Sequence, residues 1–93
     1  YLFDANLEQA TLAGADCSWA NLGKATLAGA NLTQTNLRGA NLCRTNLSHT
    51  DLTAANLQGA NLAKATLTGA TLTAANLMDT DRETIAQPGL IGD

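Results

Sequence analysis

The chain holds one histidine, two cysteines, one proline and one each of Trp, Tyr and Phe. His49 lies in Ser48-His49-Thr50-Asp51, and a lone histidine of this kind is far more often solvated than catalytic, so no catalytic role is expected of it. A zinc site is missing for the same reason: neither His49 nor Cys43 has a second His or Cys close by. No apolar run approaches the ~20 residues of a membrane span. Asp4 and Glu8 interrupt anything like the core of a signal peptide. The net charge of −3 disfavours nonspecific nucleic-acid binding. Glycine-rich phosphate loops are absent, because every glycine up to Gly69 falls into a repeat. The chain opens at Tyr1 instead of Met, as an excised domain or a processed product would.

Leucine is what the chain has. From Leu2 to Leu77 it recurs every five residues, and Cys17 is the one exception in sixteen positions. Two residues before each, from Ala5 to Thr80, stands Ala or Thr; immediately before, from Asn6 to Asp81, stands Asn, Asp or Thr. Five fits neither regular element. On an α-helix each step of five advances about 140° net, which scatters the leucines around the circumference. In a straight strand successive leucines point to opposite faces.

A coil with a corner in every pentad brings them together. Position i−2 and Leu at i point inward from a short extended segment, and the chain turns over i+1 and i+2. Gly14, Gly29, Gly39, Gly59 and Gly69 occupy i+2, as a corner of unusual φ/ψ favours. Four corners close a square, so a coil takes twenty residues, and coils stack at about 4.8 Å. Units such as Ala30-Asn31-Leu32-Thr33-Gln34 and Ala40-Asn41-Leu42-Cys43-Arg44 resemble the A-(D/N)-L-x-x motif of the pentapeptide-repeat family, over residues 2–79. The resemblance implies an all-β fold, a right-handed quadrilateral β-helix of about four coils, with i−2 and i inside. The domain division expected is a β-helix over 1–79 and a C-terminal cap over 80–93. Thr80-Asp81-Arg82-Glu83 fits a capping box and Pro88-Gly89 a stop, giving a short helix about 81–87 with Leu90 and Ile91 folded across the open end. The apolar N-terminal end, Tyr1, Leu2 and Phe3, has no such cap and points to an end-to-end homodimer or an upstream segment.

Residues twenty apart form columns, so the outside can be inspected face by face. The corner column Asp4, Lys24, Arg44, Lys64 is a candidate ridge for a phosphate or an acidic protein surface, or a solvated row that protects an edge. Trp19, the lone Trp, stands at an outward corner as a candidate anchor or packs along the N-terminal aromatics. Two faces carry outward threonines, of which only Thr66-Leu67-Thr68 and Thr71-Leu72-Thr73 have a full Thr-x-Thr form; these read as strand formers. Inward Thr35, Thr45 and Thr50 need partners, most simply nearby backbone carbonyls. Cys17 and Cys43, two coils apart, are too distant for a disulfide and read as free thiols.

These features point to a non-enzymatic solenoid that acts as a protein-interaction or structural module without catalytic residue, cofactor or metal. Its site candidates are Lys24, Arg44, Lys64 and Trp19, and its partner is a protein, with no membrane and no nucleic acid. The resemblance supplies an alternative, since some family members mimic B-form DNA and modulate type II topoisomerases. The acids here are scattered, however, and the best charged column is basic. The family is abundant in cyanobacteria, and the resemblance implies a cytoplasmic or thylakoid-lumen location.

Overall fold

A computed structural model describes residues 2–80. The helix expected over 81–87 and the tail behind it lie outside the described residues. Parallel bridges join each residue at i−1 to the residue twenty positions on: Asn6 to Thr26, Thr11 to Asn31, Asp16 to Asn36, Asn21 to Asn41, and so on up to Asn56 with Asn76. The chain is therefore a β-solenoid with a twenty-residue period and four corners per coil. We number its faces by their inward residues. The first carries Leu2, Leu22, Leu42 and Leu62; the second Leu7, Leu27, Leu47 and Leu67; the third Leu12, Leu32, Leu52 and Leu72; the fourth Cys17, Leu37, Leu57 and Leu77.

The pentad Asn36–Ala40 shows why the unit has five residues: each of its amides has its own acceptor. Asn36 N–H donates to Ala15 O in the coil below (2.9 Å), while Leu37 N–H (2.7 Å, to Asn56 O) and Gly39 N–H (2.8 Å, to Gln58 O) donate to the coil above. Ala40 N–H closes the corner on Leu37 O at 3.0 Å. Arg38 N–H, which no neighbouring coil can reach, donates to Asn36 Oδ1 at 3.1 Å. Buried or half-buried amides without partners cost about as much as a lost hydrogen bond, so a repeat that pairs all five is strongly favoured. This last bond explains the Asn/Asp at i−1. Every Asn or Asp at that position among the described residues accepts from the amide two residues on, an Asx turn. Threonine does this less well: Thr26 Oγ1 is buried without a partner.

Each corner has a left-handed φ at i+2 and a bond from the i+3 amide to the Leu carbonyl, the pattern of a type II turn. Glycine accounts for five of these positions, but residues such as Lys24 (φ 60), Arg44 (φ 60), His49 (φ 60) and Ala54 (φ 61) adopt the same conformation. For an L-residue this costs roughly 1–2 kcal/mol. The corner is thus imposed by the ladder on both sides of it and does not depend on glycine.

Inside, Leu22 to Leu62 are buried to 1% exposure or less, each contributing on the order of 1.5–3 kcal/mol. The core threonines are bonded to backbone carbonyls as expected: Thr35 to Leu12 O, Thr45 to Leu22 O and Thr50 to Leu47 O, each at 2.8 Å. The first coil is looser. Leu7, Leu12 and Cys17 are half-buried, and Leu2 and Phe3 are 36% and 44% exposed. Both cysteines are free, and burial, then the neighbouring Asp16 charge, pushes the Cys17 thiol up, so it stays protonated as a small core group.

Ala54 offers a direct test of the corner. Replacing it by glycine relieves roughly 1–2 kcal/mol of left-handed strain, against roughly 0.4–1 kcal/mol lost to a freer unfolded chain. Ala54→Gly should therefore raise the urea midpoint, a result opposite to the usual effect of adding glycine. A midpoint at or below wild type would show that the corner is unstrained.

Candidate functional site

The twenty-residue register places all four sequence-nominated residues on the borders of the first face. One corner of that face carries Asp4, Lys24, Arg44 and Lys64, all exposed. The opposite corner carries Trp19, Gly39, Gly59 and Asp79. Between them run two columns. Asn21, Asn41 and Asn61 are half-buried; beside them stand Phe3 and then the small residues Gly23, Cys43 and Ala63, of which Gly23 is buried.

The cation column is held by the ladder itself. Lys24 N–H donates to Cys43 O at 3.0 Å and Arg44 N–H to Ala63 O at 2.9 Å, so the backbones of these residues step one coil at a time, about 4.8 Å apart. Lys24 Nζ lies 5.8 Å from the centroid of the Phe3 ring, a cation–π distance. That ring in turn covers Gly23, where an added Cβ would stand 3.2 Å from Phe3 Cδ1 and Cε1.

Trp19 is placed by its contact with Gly39. It leans toward the next coil and rests on Gly39, where an added Cβ would collide with Cε3, Cζ3 and Cδ2 of the indole. The two bonded carbons Cε3 and Cζ3 would be equally near and Cδ2 next, as for a point above the ring's face and not at its edge. One face of the indole is therefore seated on backbone, and the residue as a whole remains 71% exposed. The same arrangement recurs two corners on, where the His49 imidazole rests against Gly69. A bulky corner residue followed by glycine twenty positions later was the available signal, and reading columns for charge alone passes over it.

The middle columns also escaped the sequence reading. Asn21, Asn41 and Asn61 accept with Oδ1 from the Gly23, Cys43 and Ala63 amides, and Asn41 Nδ2 donates to Asn21 Oδ1 at 3.1 Å. The bond between Asn41 and Asn21 ties two successive coils together through their side chains. His49 lies away from this face, and among the described residues no three His, Cys, Asp or Glu side chains come together as a metal would require. Among the described residues no helix is long and apolar enough to cross a membrane.

Two carboxylates elsewhere report on the Asx bond. Asp16 and Asp51 have their carboxyls pulled below the usual 3.8 by the Ser18 and Thr53 hydroxyls, and then by the amides of the same residues. Both side chains are exposed. A lowered folded-state pKa gives stability that is present above about pH 3.8 and is lost as pH falls through the folded value. Asparagine keeps the acceptor without the charge. The stability gap between wild type and an Asp16→Asn/Asp51→Asn variant should accordingly narrow in urea titrations run from pH 6 to pH 2.5. A gap that stays constant over that range would contradict the assignment.

The Trp19 shelf is testable by a mutant cycle. Gly39 (φ 67) and Gly59 (φ 71) share a corner and a backbone conformation, but only Gly39 has a ring above it. Gly39→Ala should cost about 1–3 kcal/mol more than Gly59→Ala, and Trp19→Ala should abolish that excess. An excess that survives in the Trp19→Ala background would mean the ring does not sit there.

The comparisons with known proteins agree with this architecture. The family pattern described as Pentapeptide repeats matches residues 1–39, 20–59 and 45–81. Among solved structures, a pentapeptide repeat protein (Rfr23) from the cyanobacterium Cyanothece 51142 is 42% identical with a TM-score of 0.91, covering 97% of this chain and 62% of that one. A pentapeptide repeat protein from the Arabidopsis thaliana thylakoid lumen is 28% identical with a TM-score of 0.64, over 81% of this chain and 56% of that one. HetL, a pentapeptide repeat protein involved in heterocyst differentiation regulation from the cyanobacterium Nostoc sp. Strain PCC 7120, is 33% identical with a TM-score of 0.51, over 92% of this chain and 50% of that one. The chain thus spans between half and two thirds of the length of these relatives. No protein of curated function matches it.

Proposed function

The chain belongs to the pentapeptide-repeat family, and from that premise we propose that it is a non-enzymatic interaction module that engages a protein partner through its first face. The observation that carries this is the convergence of Lys24, Arg44, Lys64 and Trp19 on the borders of one face. A filled leucine core leaves no interior for a substrate. A solenoid acts instead through the side chains it displays in columns, and here the displayed set combines cations and an exposed indole. Trp and Arg are the residue types that most often anchor interfaces.

The finer fold assignment belongs to the same reading: a right-handed quadrilateral β-helix over 1–79 and a cap over 80–93 with its helix about 81–87. Charge argues against the homodimer through the N-terminal end. The first coil carries Asp4, Glu8 and Asp16 and no cation, so two such ends meeting head to head would bring like charges together. DNA mimicry is opposed by the cation column, which interrupts any continuous acidic surface. A cytoplasmic or a thylakoid-lumen location is compatible with a module of this kind, and one relative is a thylakoid-lumen protein.

The test is affinity capture from source-cell extract, with wild type and a Lys24→Glu/Arg44→Glu/Lys64→Glu variant as parallel baits. The expected result is a protein retained by wild type, lost by the charge-reversed variant and weakened by Trp19→Ala. A partner held equally by all three baits would place the interaction on another surface.

A further inference from the structure

Gly23 is a glycine that the turns do not explain. Gly14, Gly29, Gly39, Gly59 and Gly69 sit at corners with φ between 67° and 72°. Gly23 stands at i+1, before the corner, and its φ is not positive. Every other described i+1 position carries a side chain. A glycine there has the entropic cost of a flexible residue without a backbone conformation to show for it. What it supplies is room. An added Cβ would stand 3.2 Å from Phe3 Cδ1 and Cε1 and 3.3 Å from Asn21 Oδ1. The bare backbone at Gly23 is thus the seat of the Phe3 ring, which reaches up from the first coil. Lys24 is the next residue along the chain, and its Nζ lies 5.8 Å from the centroid of that ring.

We propose that Phe3, seated on Gly23, is a positioning residue for Lys24 and makes it the cation of the ridge that holds an acidic side chain of the partner most firmly. This rests on the reading of the first face as the interaction surface and names a residue that reading lacks. An exposed lysine gives up side-chain freedom when it binds, and that loss offsets most of what its charge gains. An ammonium held over the face of a ring has surrendered part of that freedom beforehand. It has three N–H donors, so those turned away from the ring stay available to a carboxylate. Among the described residues Lys24 is the cation given this support. A second pull acts on it as well, because Asp4 stands one coil below on the same corner. Phe3→Leu separates the two: leucine still covers Gly23 and leaves Asp4 in place, but it has no π face.

The first readout is the NMR shift of the Lys24 side chain. Its Cε protons should be moved upfield by the ring in wild type, return to ordinary values in Phe3→Leu, and move upfield again in Phe3→Tyr. Shifts that Phe3→Leu leaves unchanged would overturn the positioning and leave Asp4 as the group that draws the ammonium. The second readout is the affinity of a short polyglutamate peptide, titrated at low salt. Phe3→Leu should weaken it roughly two- to fivefold, and Phe3→Tyr should restore it. In a Lys24→Gln background Phe3→Leu should have no further effect, whereas in an Arg44→Gln background the loss should persist. Weakening that is equal with and without Lys24 would make Phe3 merely structural and overturn the proposal while the ridge stands. A peptide that fails to bind wild type, or binds Lys24→Gln/Arg44→Gln/Lys64→Gln equally well, would remove the ridge as a carboxylate site and the proposal with it.

Discussion

Everything in this molecule depends on the twenty-residue register of the backbone ladder. Each pentad sends two amides to the coil above and takes one carbonyl from the coil below, as Asn36–Ala40 does with Ala15, Asn56 and Gln58. That fixed pairing keeps the leucines pointing at one axis, and it converts positions remote in sequence into neighbours on the surface. It also explains the tolerance for left-handed φ at lysine, arginine, histidine and alanine corners. Each such residue is held on one side by the corner bond and on the other by its own amide in the ladder, so the strain of roughly 1–2 kcal/mol is carried by bonds that the whole stack shares.

The core could be read from sequence because it is set by a period. A leucine every five residues excludes helix and strand on geometric grounds, and the inward threonines announce their need for carbonyl acceptors. The corners were only half legible. Glycine marked five of them, but nothing in Lys24 or Ala54 as letters says that the chain turns there with positive φ; that follows from the ladder. The Asx bond was visible as a preference for Asn and Asp before leucine, and its cause became apparent only when each amide was traced to its acceptor.

The candidate site divides in the same way. Columns at a spacing of twenty reveal the cation row without any coordinates. The direction in which a corner side chain leans along the axis is not encoded in the period, so Trp19 resting on Gly39 and Phe3 on Gly23 needed the structure. The middle columns were hidden for another reason. Asn21, Asn41 and Asn61 look like ordinary repeat residues, and the bond from Asn41 Nδ2 to Asn21 Oδ1 shows only in the structure.

The register also governs how such a chain can change length. Duplicating one pentad would leave the leucine core intact, since every unit is equivalent from the inside. From the outside, a pentad added between Lys24 and Gly39 would turn all later residues by a quarter revolution, separating Lys24 from Arg44 and Lys64 and moving Trp19 away from its glycine. Duplicating four pentads would restore the alignment and lengthen the cation row by one step. Core and surface therefore obey different units of inheritance, five residues for the fold and twenty for the face.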